Sequence, residues 1–387
     1  MEESITLSRL TEKKLPMGKE EGAPQGYLPT LNGWRAISII AVIFCHDKIH
    51  SFGHASTTLL YTYGNKGVDV FFAISGLLIC SRLLDEEKKA GTISIKRFYI
   101  RRVFRILPPA LFYLSALLML KWLIDLPVNY SEIVASLCFA RNFSSALKIF
   151  GPSNQTTWYT GHFWSLAVEE HFYLFLPAFL VFVKSKRRAS FLILFSALIV
   201  LHRFTNKVAY QEFHTDMRLD GLLFPAALSI QMRSRQFRER LLPLLRFWPL
   251  VLVVIAGIFY FGSSDKLDQT ALAWLLPFVV LGTMMRPESL FGRFLELPVI
   301  SYIGKLSYSL YLWQQLFFVS HYGVITPKIA FLQKWPWCLL SLIVCSVTSY
   351  YLIEQPMIKV GHRISNRVRT KSSSIGEQAG HGEPAAR

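Results

Sequence analysis

Long apolar runs separated by short polar connections fill almost the whole chain. Ten runs are long enough to cross a bilayer as helices, at about 34–53, 66–84, 106–124, 164–183, 189–205, 217–232, 246–262, 270–285, 300–321 and 336–355. An eleventh, "SEIVASLCFA" at 131–140, has only about ten residues before Arg141, short of the roughly 20 that a helical crossing needs. The dense basic stretches "KRFYIRRVFR", "KSKRR", "RSRQFRER" and "KVGHRISNRVRTK" decide its role. With the N-terminus inside, ten crossings put all four in the cytoplasm, as the positive-inside rule requires. Counting 131–140 as a crossing would move "KSKRR" and "RSRQFRER" outside. The pattern therefore predicts an all-α polytopic membrane bundle of about ten transmembrane helices, both termini cytosolic. Residues 126–162 become an outer segment that can re-enter the membrane. Non-helical backbone at that depth is tolerated only where it is buried in protein or lines a cavity, so a re-entrant piece would mark an acceptor cleft.

Composition agrees. The 387 residues are 52% hydrophobic and 17% charged, with 30 Phe and 16 Tyr, and such a chain would expose sticky patches if it were soluble. The net charge of +17 sits in short clusters between apolar runs, which is topogenic placement and excludes a nucleic-acid partner. Cys45, Cys80, Cys138, Cys338 and Cys345 show no CxxC spacing and read as core thiols. Residues 1–30 lack an apolar h-region, so no cleavable signal peptide is expected and the segment should be cytosolic and disordered. Residues 31–358 form one membrane domain without internal repeats, and 359–387 are expected to be a basic, disordered cytosolic tail.

Against this apolar background the ionisable residues stand out, because charged groups in a bilayer are expensive and usually functional. Arg35 and His46 share "LNGWRAISIIAVIFCH"; eleven helical steps leave them roughly 20° apart on one face and roughly 16 Å apart in height. In "GVDVFFAISGLLI", Asp69 opens a run holding Ser75 and Gly76, and taken alone the motif reads first as structure, Ser-Gly as a close helix contact and Asp69 as a cap. "RRVFRILPP" puts Arg101, Arg102 and Arg105 at the cytosolic mouth of a span, as topogenic charge or as a phosphate clamp. "FWSLAVEEHFYLFLP" carries Glu169 and Glu170 into a span about 100° apart, so that one is expected to meet His46 and the other Arg218 or Arg35. Arg218 and Asp220 in "RLDGLLFP" point to different faces, either as structural ion pairs or as substrate contacts. His46, His162, His171 and His202 lack metal-ligand spacing, so neither haem nor metal is indicated.

Taken in order, these motifs resemble the acyltransferase 3 family of integral membrane acyltransferases over roughly residues 30 to 360. The likeness rests on Arg35 with His46, on Phe71, Phe72, Ser75 and Gly76, and on Arg101, Arg102, Arg105 and Pro108. It continues through "WSLxxEExFYL" from Trp164 to Leu174, "RLD" at 218–220, "SYSLYLW" at 307–313 and "YxIExP" at 351–356. Two departures are Gln314, where the family often carries His, and Phe224-Pro225, where a small residue is common after "RLDxLL". The resemblance implies transfer of an acyl group, commonly acetyl, from cytosolic acyl-CoA to a sugar hydroxyl in a surface or secreted glycan, at a bacterial inner membrane. The chain stops soon after its tenth run, without the esterase-like domain that some members append, so the membrane domain is expected to handle the acceptor alone.

The mechanism expected from these residues makes a neutral His46 the general base toward the acceptor, with Glu169 or Glu170 fixing its tautomer. Transfer through an acyl-His46 intermediate is open on the same residues. Arg35, Ser75, Arg101, Arg102 and Arg105 are assigned to the acyl-CoA donor, and Asp69, Trp164, Arg218, Asp220 and Tyr308 to the acceptor. Acyl-CoA is then a co-substrate, with no permanently bound cofactor. The expected partners are that donor, a glycan acceptor and the bilayer, and a homo-oligomer is compatible with all of this. A proton-coupled secondary transporter is the alternative, since midplane His, Asp and Glu also make proton relays; the lack of repeats speaks against it, and a transporter would consume no thioester.

Overall fold

A chain this apolar must satisfy its backbone polar groups internally, and every described element is helical. The computed structural model describes residues 28–46, 63–143, 158–206, 213–261, 265–319 and 326–379, with side chains to 368. Nearly all of the expected N-terminal segment, and residues 144–157 of the outer segment, lie outside these. In chain order the helices are α1 (Leu31–His46), α2 (Gly67–Ala90), α3 (Ile95–Ile124), α4 (Tyr130–Leu137), α5 (Trp158–Gly161), α6 (Phe163–Phe182), α7 (Ser185–Thr205) and α8 (Thr215–Arg218). There follow α9 (Asp220–Gln231), α10 (Arg235–Leu245), α11 (Trp248–Tyr260), α12 (Asp265–Met285), α13 (Leu290–Leu295), α14 (Pro298–Phe317), α15 (Trp337–Ser349) and α16 (Gln355–Ala379). A π-helical turn, Tyr350–Glu354, joins α15 to α16, just before Pro356 removes a backbone donor.

Small residues set the tightest packing. α1 lies along α14 with Gly304 pressed on the Asn32 backbone, and α2 lies along α9 with Gly76 on the Leu222 carbonyl, so the close-contact reading of the Ser-Gly pair is correct for the glycine. Gly304→Ala should force these helices apart, costing about 1–3 kcal/mol, as overpacked cores do. A lowered melting midpoint of the detergent-solubilised protein is the check; an unchanged midpoint would contradict the contact.

The helix count differs from the pattern reading. Among the described residues, six helical segments are long and apolar enough to cross a bilayer, and seven if the α10–α11 pair, bent by 69°, is one span. The other expected crossings are helical but fall short. α1 has 16 described residues, α9 only 12, and α14, at 20 residues, carries Lys305, Gln314 and Gln315 among its apolar positions. α9 is short because it is enclosed: Leu222, Ala226 and Ala227 are fully buried between α2 and α7, where an apolar run meets protein rather than lipid. Of residues 126–162, the described part holds α4, a 3₁₀ turn, Arg141–Phe143, and α5, none of them by itself long enough to cross a bilayer. At the other end, α16 continues past Lys359, where composition suggests a tail. It packs on α3, with Gly361 against Phe104 and Arg101 donating to Ser365.

The basic clusters converge on one acidic turn. At the end of α2, closed by Gly91 in the left-handed region, three successive carboxylates take arginines from three directions. Asp85 receives Arg233, Glu86 receives Arg97 and Arg101, and Glu87 receives Arg188 through two bonds of 2.7 and 2.8 Å. These pairs tie α3, α7 and the end of α9 to α2 at the basic end of the bundle.

Candidate active site

Where α1, α2, α3, α6 and α14 meet, they enclose a cavity whose empty space, counted to its mouth, is about 830 Å³. Its polar lining is Arg35, Ser75, Arg102, Arg105, Glu169 and Glu170, with the hydroxyls of Ser165, Tyr173, Ser307, Tyr308 and Tyr311; Phe71, Phe72 and Ile106 supply apolar wall. Each charged group has a local reason to be there. The kink-prone Pro108-Pro109 pair lies within α3 just after Arg105, and the Tyr308 hydroxyl ties α14 to that turn through the Ile106 carbonyl at 2.8 Å. Glu169 is held from both sides: the Ser75 hydroxyl donates to one oxygen and the Tyr173 hydroxyl to the other, each at 2.9 Å. Two donors on one carboxyl fix its orientation in the cavity wall. Glu170 faces the same cavity from the next position.

The three arginines of "RRVFR" have different roles. Arg101 is committed to Glu86 at 3.2 Å and to Ser365. Arg102 lies over the Tyr173 and Phe98 rings, while Arg105, like Arg35, has no hydrogen-bond or ion-pair partner among the described residues. Arg102 and Arg105, with Ile79, also line a second recess of about 500 Å³, shared with Arg82, Arg101 and His362. The exposed Arg82 and His362 make this recess a basic mouth to the larger cavity. Among these groups cations outnumber carboxylates, as suits an anionic ligand entering by the mouth.

The remaining expected site residues sit elsewhere. Asp69 accepts from Arg218 at 2.8 Å, both buried, and the Arg218 guanidinium lies 5.3 Å from the Trp164 ring centroid and 5.8 Å from that of Phe72. Asp220 is bonded by Arg203, which also donates to the Met217 carbonyl and to Thr270. These four charges balance one another inside the bundle, beside the cavity but not in it.

Neither Glu169 nor Glu170 is bonded to His46 among the described residues. The His46 Nδ1 lies 2.6 Å from the Gln314 Oε1, and the ring stands edge-on to Trp158 at 5.3 Å between centroids. The next residue repeats the arrangement: the Gln315 Oε1 lies 2.6 Å from Nδ1 of the buried His162 and also accepts its backbone N–H at 3.1 Å. Tyr311 donates to the His162 carbonyl and bonds Ser165, so the far wall of the cavity is hydrogen-bonded to the layer that holds the histidines.

Of the thirteen candidate residues the structure thus gathers Arg35, Ser75, Arg102, Arg105, Glu169, Glu170 and Tyr308 round one cavity. It leaves out His46, Asp69, Arg101, Trp164, Arg218 and Asp220, for the reasons just given. The sequence reading missed Arg203, Tyr173, His162, Arg82 and His362 as site residues. Arg203 and the Gln314-Gln315 pair carried a usable signal, being polar groups inside apolar runs; Arg82 and His362 carried none that distinguishes them from surface charge.

A family model described as an acyltransferase domain, Acyl_transf_3, matches residues 28–354. A protein of Staphylococcus aureus (strain COL), provisionally named an O-acetyltransferase, is 29% identical over 370 residues, covering 88% of this chain and 59% of its own length. The O-acetyltransferase OatA of Staphylococcus aureus (strain NCTC 8325 / PS 47) is 28% identical over 365 residues, covering 87% of this chain and 58% of that protein. The chain therefore spans about three fifths of the length of these curated relatives. No solved structure gives a significant match.

Proposed function

The chain belongs to the Acyl_transf_3 family of acyltransferases and is a multi-pass membrane protein, and from this we propose that it moves an acetyl group from acetyl-CoA to a glycan hydroxyl. The observation that carries this reading is the continuity of the basic mouth with the cavity through Arg102 and Arg105. The phosphates of the donor bind Arg82, Arg102 and Arg105, and its pantetheine arm runs along Arg35, Ser75 and Tyr308 toward the Tyr311–Ser165 layer. His46 takes the proton of the acceptor hydroxyl as its oxygen attacks the thioester carbonyl. The C–S bond then breaks, and the thiolate of CoA takes the proton back from the imidazolium. Glu169, fixed by Ser75 and Tyr173, lines the same cavity as Arg35 and Arg102.

The topology that accompanies this reading has ten crossings, with the basic mouth and both termini in the cytosol of a bacterial inner membrane. The positive-inside placement of the arginine clusters supports it. In that orientation the acceptor is a sugar in a surface or secreted glycan, reached from the outer side.

The test is acetyl transfer in membrane fractions with labelled acetyl-CoA and the host's glycans. Arg105→Gln should raise the KM for acetyl-CoA about 10- to 100-fold, the worth of one or two charge-assisted hydrogen bonds, with less effect on the acceptor. Arg101→Gln should change it little, because Arg101 is taken by Glu86. Equal effects of the two substitutions, or loss of inserted protein in both, would show that the cluster serves orientation in the membrane only.

A further inference from the structure

We propose that the C-terminal helix α16 is part of the donor site, its Ile358 and His362 closing the basic recess over the adenine nucleotide end of the acyl-CoA. The inference rests on the reading of acyl-CoA as the donor. Both residues lie beyond residue 354, where the family match ends. Ile358, Gly361, His362 and Ser365 stand at i, i+3, i+4 and i+7 and so form one face of the helix. That face is turned to α3. A Cβ at 361 would stand 2.6 Å from the Phe104 Cβ, so only glycine lets the helix lie this close, and Ser365 accepts from Arg101 at 3.1 Å. With the helix held there, Ile358 and His362 line the recess that opens to the larger cavity.

The lining says what fits. Arg82, Arg101, Arg102, Arg105 and His362 give the recess its polar surface, and among the described residues no carboxylate lines it. Glu86 meets the charge of Arg101, but Arg82, Arg102 and Arg105 form no ion pair among the described residues. Cations gathered with no acid among them repel one another, and an anion of several charges removes that repulsion. The larger cavity differs, because there Glu169 and Glu170 accompany the arginines beside hydroxyls and apolar wall. A ligand that fits both spaces is polyanionic at one end and largely uncharged at the other. Acyl-CoA has that order, with phosphates round an adenosine followed by a neutral pantetheine arm. Ile358, Leu83 and Phe98 supply the apolar part of the recess, against which the base lies. His362 is exposed and makes no hydrogen bond or ion pair among the described residues, so the fold itself gives it no task.

The experiment measures binding of labelled adenosine 3′,5′-bisphosphate to the solubilised protein by equilibrium dialysis, beside the KM for acetyl-CoA in membranes at matched abundance. The parent should bind the nucleotide, with pyrophosphate a much weaker competitor. Substitutions at His362 should then grade both readouts by charge. His362→Lys should stay within about threefold of the parent, His362→Ala should weaken binding and raise KM about 3- to 10-fold, and His362→Asp should do so about 10- to 100-fold, as loss and then reversal of one charge beside phosphates requires. The kcat and the acceptor KM should hold at parent values throughout the series. Because His362 is exposed, these variants should insert as the parent does. Ile358→Ala should weaken the nucleotide and leave pyrophosphate unchanged, since that side chain meets only the base. Absence of binding by the parent, pyrophosphate competing as well as the nucleotide, or one affinity across the His362 series overturns the inference. A parent that binds the nucleotide yet transfers no acetyl group from acetyl-CoA would instead sink the donor reading, a failure separate from that of the recess.

Discussion

Replacing His46 by Ala is expected to lower acetyl transfer by about 10²–10⁴-fold, the usual contribution of a positioned general base, while the protein still inserts. The side chain is partly buried at the end of α1, and its bond to Gln314 joins it to α14, the helix α1 packs on most extensively. Losing one bond at a helix end should cost stability only modestly, about 0.5–1.5 kcal/mol. Turnover and stability should therefore separate, turnover falling by orders of magnitude and the melting midpoint by little. Steady-state transfer from labelled acetyl-CoA, beside a thermal melt of the same preparation, reads both. Turnover within a factor of ten of the parent would place the proton transfer elsewhere, with His162 the next residue to test.

The second large effect is expected at Asp220, and it is structural. Asp220 is 1% exposed and Arg203 3%, and the pair lies beside the equally buried Asp69 and Arg218. Removing one member of a buried ion pair leaves an unmatched charge and typically costs about 3–5 kcal/mol, whereas replacing both members by apolar residues is often neutral or stabilising. Asp220→Ala should therefore strip folded protein from the membrane, and the double substitution Asp220→Leu with Arg203→Met should restore much of it. Folding yield by size-exclusion of the solubilised protein is the measurement. If Asp220→Ala inserts normally yet loses transfer, and the double variant is also inserted but inactive, Asp220 acts on the acceptor as its motif suggested.

The two outcomes show where a linear reading works. Glu169 and Arg35 stood out because a charge inside an apolar run needs a local explanation, and both do line the cavity. Gly76 was legible for a similar reason, since a small residue in a span marks close approach. Partner choice was not legible. Helical spacing told that Glu169 and Glu170 face different neighbours, but Glu169 is bonded by Ser75, 94 residues earlier, and His46 is bonded by Gln314, 268 residues later. The arginine cluster looked uniform, and only the acidic turn at the end of α2 separates Arg101 from Arg102 and Arg105.

By itself the sequence determined the helical class, the basic end of the bundle and the residues that could not be ordinary lipid-facing positions. Those properties follow from hydropathy and charge within windows of one helix length, which do not depend on what lies across the bundle. The tertiary structure alone decided which apolar runs are full-length membrane helices and which, like α9, are enclosed core. It also decided that Asp220 pairs with Arg203, Asp69 with Arg218 and His46 with Gln314. Each of those choices joins elements distant in the chain, set by how small residues such as Gly76 and Gly304 let helices approach. An apolar run looks the same whether it meets lipid or protein, and a buried charge takes whatever partner packing brings within about 3 Å.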